Sequence, residues 1–86
     1  MTVRVICFYQ PGCMGCMEQD PVNREVEKAL GITIEEIDAV ENPQYIREYQ
    51  LKVTPTLIIL VDSMVRDRFE GFVHAETLIA SLKKYL

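Results

Sequence analysis

The chain predicts an α/β fold, a four-stranded mixed sheet in the order β-α-β-α-β-β-α with helices on both faces. Three observations predict it. Val3–Tyr9 is rich in β-branched and aromatic residues and Thr56–Val61 is continuously apolar, which suits central strands covered on both sides. Strand and helix patterns alternate through the first part of the chain, and strand-helix-strand order implies parallel pairing through a right-handed crossover. Asp62-Ser63-Met64 then makes a tight turn straight into another strand, and alternation followed by a hairpin gives a mixed sheet.

Each element has its own signal. After Val3–Tyr9, the breaker Gln10-Pro11-Gly12 ends the first strand. A helix is expected from about Cys13 to Leu30, with Met14, Met17, Val22, Val26, Ala29 and Leu30 as its apolar face and Gly31 as its stop. Pro21 lies inside it and removes one hydrogen bond. The helix should therefore kink near Met17 to Asp20, or two short helices should meet there. Ile32–Asp38 alternates as a second strand. Asn42 as N-cap and Pro43 at the first helical position open a short helix to about Tyr49. Gln50–Pro55 leads to the third strand. Val65–Phe69 forms the fourth, with Arg66, Asp67 and Arg68 as a charged edge. Gly71 interrupts the pattern. A last amphipathic helix runs from His74, its cap, to Leu86, with Leu78, Ile79, Leu82, Tyr85 and Leu86 turned inward.

The length of 86 residues fits one domain, 1–86, with a modest core. The net charge of −4 provides no basic footprint for nucleic acid. No run is long and apolar enough to span a membrane, and the opening residues lack a secretory-leader pattern. The expected compartment is therefore the cytoplasm, where thiols stay mostly reduced. A monomer is the default.

Three cysteines are an odd number and do not suit a secreted disulfide framework. Cys13 and Cys16, in Gly12-Cys13-Met14-Gly15-Cys16, are three apart at the first turn of a helix and close enough to bond. At the helix N-terminus the unpaired N–H groups and the dipole favour a thiolate, so Cys13 is expected to be the more acidic and nucleophilic of the two. Such a pair is catalytic, redox-cycling or metal-binding. Two cysteines supply only two zinc ligands and no Cys or His cluster completes four, so no metal is expected. Cys7, in a central strand, reads as a small buried hydrophobe. Tyr9 reads as core. Met14 and Met17 flank the pair and could adapt to varied partners, although Met17 fits core packing equally well. The Glu35-Glu36 pair and Arg66–Arg68 read as solvated faces.

Four features together resemble the thioredoxin-fold superfamily in its shortest form, over nearly the whole chain. Cys13-Met14-Gly15-Cys16 follows the first strand and opens the first helix. Pro21, five after Cys16, matches the kinking proline of the active-site helix. Val53-Thr54-Pro55-Thr56, just before the third strand, matches the cis-proline loop. Gly71, after the fourth strand, matches the glycine that admits substrate. The resemblance implies a minimal thioredoxin fold and a thiol-disulfide oxidoreductase acting on disulfide-containing proteins, with no cofactor. It implies Cys13 and Cys16 as the catalytic redox-active disulfide. Cys13 attacks a substrate disulfide and Cys16 resolves the mixed disulfide. Thr54, Pro55, Gly71 and Met14 would bind substrate, Thr54 by pairing its backbone with an extended segment. The electron donor would be a thioredoxin reductase-like enzyme or glutathione. A glutaredoxin-type, glutathione-linked reductase is the alternative activity, and a metal-binding or adaptor module the alternative outside enzymes.

The departures bear on mechanism. Thioredoxins usually read Trp-Cys-Gly-Pro-Cys, whereas here Gly12 stands for the Trp and Met14-Gly15 for the Gly-Pro. The looser Gly15 is expected to move the potential in the oxidising direction. The family's buried acid, six residues before the first cysteine, is replaced by Cys7. A thiol of ordinary pKa is a poor base at neutral pH, so resolution by Cys16 is expected to be slower than in thioredoxins.

Overall fold

A computed structural model describes residues 1–86. Seven elements follow in the expected order: β1 (Val3–Tyr9), α1 (Met14–Leu30), β2 (Ile34–Asp38), α2 (Gln44–Glu48), β3 (Thr56–Val61), β4 (Met64–Glu70) and α3 (Ala75–Lys83). The sheet order is β2-β1-β3-β4. β1 pairs with β2 in parallel, and with β3 antiparallel, while β3 and β4 form an antiparallel hairpin. Asp62 and Ser63 both take positive φ at its tip, where short polar residues tolerate the left-handed conformation.

The two central strands carry the core because both of their faces are covered. Val5, Cys7, Leu57, Ile59 and Val61 face α1 and α3, where they meet Val26, Val73, Leu78 and Leu82. Ile6, Phe8, Ile58 and Leu60 face α2 and its flanks, where Tyr45, Tyr49 and Leu51 cover them. Phe8 is fully buried against the Tyr45 and Tyr49 rings, which stack on each other. Each such side chain contributes roughly 1.5–3 kcal/mol by leaving water.

Several boundaries differ from the sequence expectation. β2 begins at Ile34 rather than Ile32, because the end of α1 claims the intervening residues. Gly31 sits in the left-handed region, and both it and Ile32 donate to the Glu27 carbonyl. The Glu27 carboxylate then accepts the Ile34 N–H. Asn42 does not cap α2 with its side chain, which instead donates to the Asp38 carbonyl. α3 ends at Lys83, so Leu86 projects outward with 58 % of its surface exposed. His74 holds the N-cap position but its side chain makes no capping bond. α1 runs unbroken through Pro21, which removes the two-helix alternative.

Arg66 stays exposed, as expected of a solvated face, but the other charged residues read that way are engaged. Arg4 grips Glu35 through two bonds of 2.8 Å, and Arg24 holds Glu36 at 2.6 Å. Arg68 donates to the Tyr49 and Gln50 carbonyls at the end of α2. Asp67 accepts from Ser81 and Tyr85 and pairs with Lys84, fastening β4 to α3. Hydrogen bonds from Arg4 and its charge hold the Glu35 carboxyl below the usual range, and the Ser81 bond and Lys84 do the same for Asp67. A carboxyl whose folded pKa is lowered stabilises the fold above its unfolded value and loses that contribution as pH falls through the folded value. The melting temperature should therefore fall on acidification below about pH 4.5, and the fall should be shallower in Arg4→Ala. The pair is half-exposed, so Arg4→Ala should cost only about 0.5 kcal/mol at neutral pH. Thermal melts of both proteins across pH 2–7 check this; identical profiles would contradict it.

Candidate active site

Gln10-Pro11-Gly12 turns the chain from the end of β1 into α1, with Gly12 at positive φ where a side chain would be strained. Cys13 follows as the N-cap of α1, with extended backbone angles. Cys13 and Cys16 form a disulfide across the first turn, their Cα atoms 5.2 Å apart. Both are half-buried.

Donors converge on Cys13. The Cys16 N–H reaches its sulfur at 3.0 Å, and the Thr54 hydroxyl lies at 3.4 Å. Both favour negative charge on that sulfur once the disulfide is opened. The Thr54 carbonyl oxygen also lies 3.4 Å from the Cys13 sulfur. A disulfide sulfur carries no proton, so that approach becomes a hydrogen bond only in the thiol form. Thr54-Pro55 is the cis bond of the chain, and the fully enclosed Pro55 lies behind it. Gly15 lets the two segments approach this closely, since a Cβ there would meet Pro55 Cδ at 3.1 Å.

Gly71, at positive φ, donates its N–H to the Pro55 carbonyl at 2.8 Å, so the loop after β4 is tied to the cis-proline loop. Met14 is exposed beside the disulfide. All six residues singled out from the sequence thus belong to one region built from the start of α1, the loop before β3 and the loop after β4. Met17 and Tyr9 depart from their core expectation. Met17, in the first turns of α1, is 67 % exposed, and Tyr9, the last residue of β1, lies on the surface beside the cysteines; both line the pocket there rather than the core.

A pocket of about 480 Å³ opens next to the disulfide, lined by Cys7, Tyr9, Cys13, Cys16, Asp20, Asn23 and Glu36 among others. Cys7 is buried as expected, and burial pushes its thiol up to about 11. Asn23 lines the same pocket, and Glu36 sits opposite Cys7 on β2. No group of three or more His, Cys, Asp or Glu side chains is placed to hold a metal ion.

The sequence reading missed Gln19 and Asn23. Both are essentially fully buried. The Gln19 amide accepts from the Val73 N–H at 3.0 Å, donates to the Val73 carbonyl at 3.2 Å and donates to Asn23 at 3.1 Å. Their signal was position: with Val26 and Leu30 they keep helical spacing on the inner face of α1.

The family model for thioredoxin matches residues 2–84. The chain belongs to the thioredoxin family. It is 31 % identical to the chloroplastic thioredoxin Y2 of Arabidopsis thaliana over 95 % of its own length and 50 % of that protein's. It is 31 % identical to thioredoxin 2 of Plasmodium falciparum over 99 % of itself and 55 % of that protein. The chain thus spans about half the length of these curated relatives. It also matches the thioredoxin of Methanocaldococcus jannaschii, at 31 % identity over 98 % of this chain and 96 % of that one. A solved structure of thioredoxin-2, described as a component of the malaria parasite's protein secretion machinery, superposes with a TM-score of 0.91. That likeness has 30 % identity and covers 98 % of this chain and 84 % of the other. The minimal thioredoxin fold expected from the sequence is the fold the chain has. No helix is long and apolar enough to cross a membrane.

Proposed function

We propose that this thioredoxin-family chain, as a single domain over 1–86, reduces disulfides in proteins through the Cys13–Cys16 couple. The observation that carries the reading is the disulfide at the N-terminus of α1, with the Cys16 N–H and the Thr54 hydroxyl both aimed at Cys13. Cys13 takes the substrate sulfur into a mixed disulfide, and Cys16 displaces it. The pair leaves as a disulfide, and the substrate as two thiols. Thr54, Pro55 and Gly71 form the shelf on which an extended substrate segment lies, and the exposed Met14 borders it. The donor is a thioredoxin reductase-like enzyme or glutathione, with the family favouring the former. A redox-cycling pair beside one buried free thiol suits a reducing compartment such as the cytoplasm.

The test is the reduction potential of the couple, with insulin reduction followed by turbidity under each donor. A reversible two-electron couple between the cytosolic poise and about −120 mV, with one donor supporting turnover, is expected. The absence of a reversible couple would overturn the reading.

A further inference from the structure

If the pair works as a redox couple, the reading on which this step rests, Cys16 must lose its proton before it attacks, because the thiolate is the nucleophile. The pocket beside the disulfide brings few groups to that proton. β1 contributes Cys7 and Tyr9, β2 contributes Glu36, and α1 contributes Asp20 and Asn23 beside the cysteines themselves. Cys7 is buried and holds its own proton at neutral pH, its thiol pushed up to about 11. A phenol and an amide are donors rather than bases there. Two carboxylates remain. Glu36 is occupied by Arg24 at 2.6 Å. Asp20 takes part in none of the ion pairs of the chain. It follows Cys16 by four residues on the same helix, the spacing that makes two side chains neighbours on one face.

We propose that Asp20 is the proton acceptor for Cys16 in the resolving step, filling the place that Cys7 leaves without an acid. The Cys16 S–H proton passes to the Asp20 carboxylate, and the Cys16 sulfur attacks Cys13. The Cys13–Cys16 bond forms as the bond from Cys13 to the substrate sulfur breaks. The departing thiolate then takes up a proton from Asp20 or from solvent. Two electrons have moved from the dithiol to the substrate.

The reduced protein, in excess over Ellman's reagent, reports the two steps separately. Attack by Cys13 releases the first thionitrobenzoate and attack by Cys16 the second. Asp20→Asn should slow the second release at pH 7 by at least about tenfold and leave the first within about twofold. The difference should close as pH rises and hydroxide takes the proton instead. Asp20→Glu should restore most of the rate. Glu18→Gln makes the same charge change on the exposed face outside the pocket and should leave the second release unaltered.

The sign decides between roles. If Asp20 acted only as a nearby negative charge, its removal would ease ionisation of Cys16 and speed the second release. An unchanged or faster second release in Asp20→Asn overturns the proposal, as does slowing by Glu36→Gln in its place. Failure of the first release would instead sink the redox reading itself.

Discussion

Replacing Cys13 with serine is expected to lower protein-disulfide reduction by roughly a thousandfold or more, to the uncatalysed background. The fold should survive the change. Cys13 is the N-cap of α1, and its sulfur already accepts the Cys16 N–H. Serine is among the preferred N-cap residues and its oxygen can take the same bond, so thermal stability in the reduced protein should be equal or slightly higher. What is lost is chemistry. A serine hydroxyl stays protonated at neutral pH and no general base contacts it, so it cannot open a disulfide. Cys16→Ser should fail differently. Attack by Cys13 remains, but nothing displaces the substrate, so a covalent adduct accumulates. Insulin turbidity measures the first variant, and intact-mass analysis after mixing with an oxidised peptide detects the adduct of the second. A Cys13→Ser protein that still turns over, or a Cys16→Ser protein that never forms an adduct, would contradict the assignment of attacking and resolving roles.

These residues were legible in the sequence because their signals are local. Gly12-Cys13-Met14-Gly15-Cys16 lies between an apolar run and a helical pattern, and Thr54-Pro55 immediately precedes an apolar strand. The central strands were equally plain, since Ile58 and Phe8 belong to runs with no polar face to place outward. What escaped depends on distant partners. Nothing near Asp67 says that Ser81, Tyr85 and Lys84 will gather on it, because those residues lie on α3 and meet β4 only after folding. Met17 looked like part of the apolar face of α1, but it stands exposed at the pocket beside the cysteines. The same assumption hid Gln19 and Asn23. A polar residue is usually placed outside by default, and burial becomes tolerable only when every polar atom finds a partner, which here is the backbone of Val73.

Gln19→Leu is therefore expected to destabilise the protein by about 3 kcal/mol despite adding apolar volume to a buried site. Leucine is close to glutamine in size, so cavity formation is not the main cost. The cost is the set of groups left behind. The Val73 N–H, the Val73 carbonyl and the Asn23 side-chain oxygen all lose a partner at once, in a place where water does not reach them. Unmet buried groups of this kind cost about 1–3 kcal/mol each, and relaxation of the loop recovers part of that. Chemical denaturation should show a lower midpoint with an unchanged slope. Function should change with stability in a specific way. The loop from Gly71 to Val73 is fastened at one end to Pro55 and at the other to Gln19, so the helix carrying the cysteines and the shelf facing them are held as one unit. Releasing the Gln19 end should raise KM for a protein disulfide several-fold while the first release from Ellman's reagent, which needs no shelf, stays close to wild type. If the two substrates respond alike, or the midpoint does not move, Gln19 is not the strut that this geometry makes it.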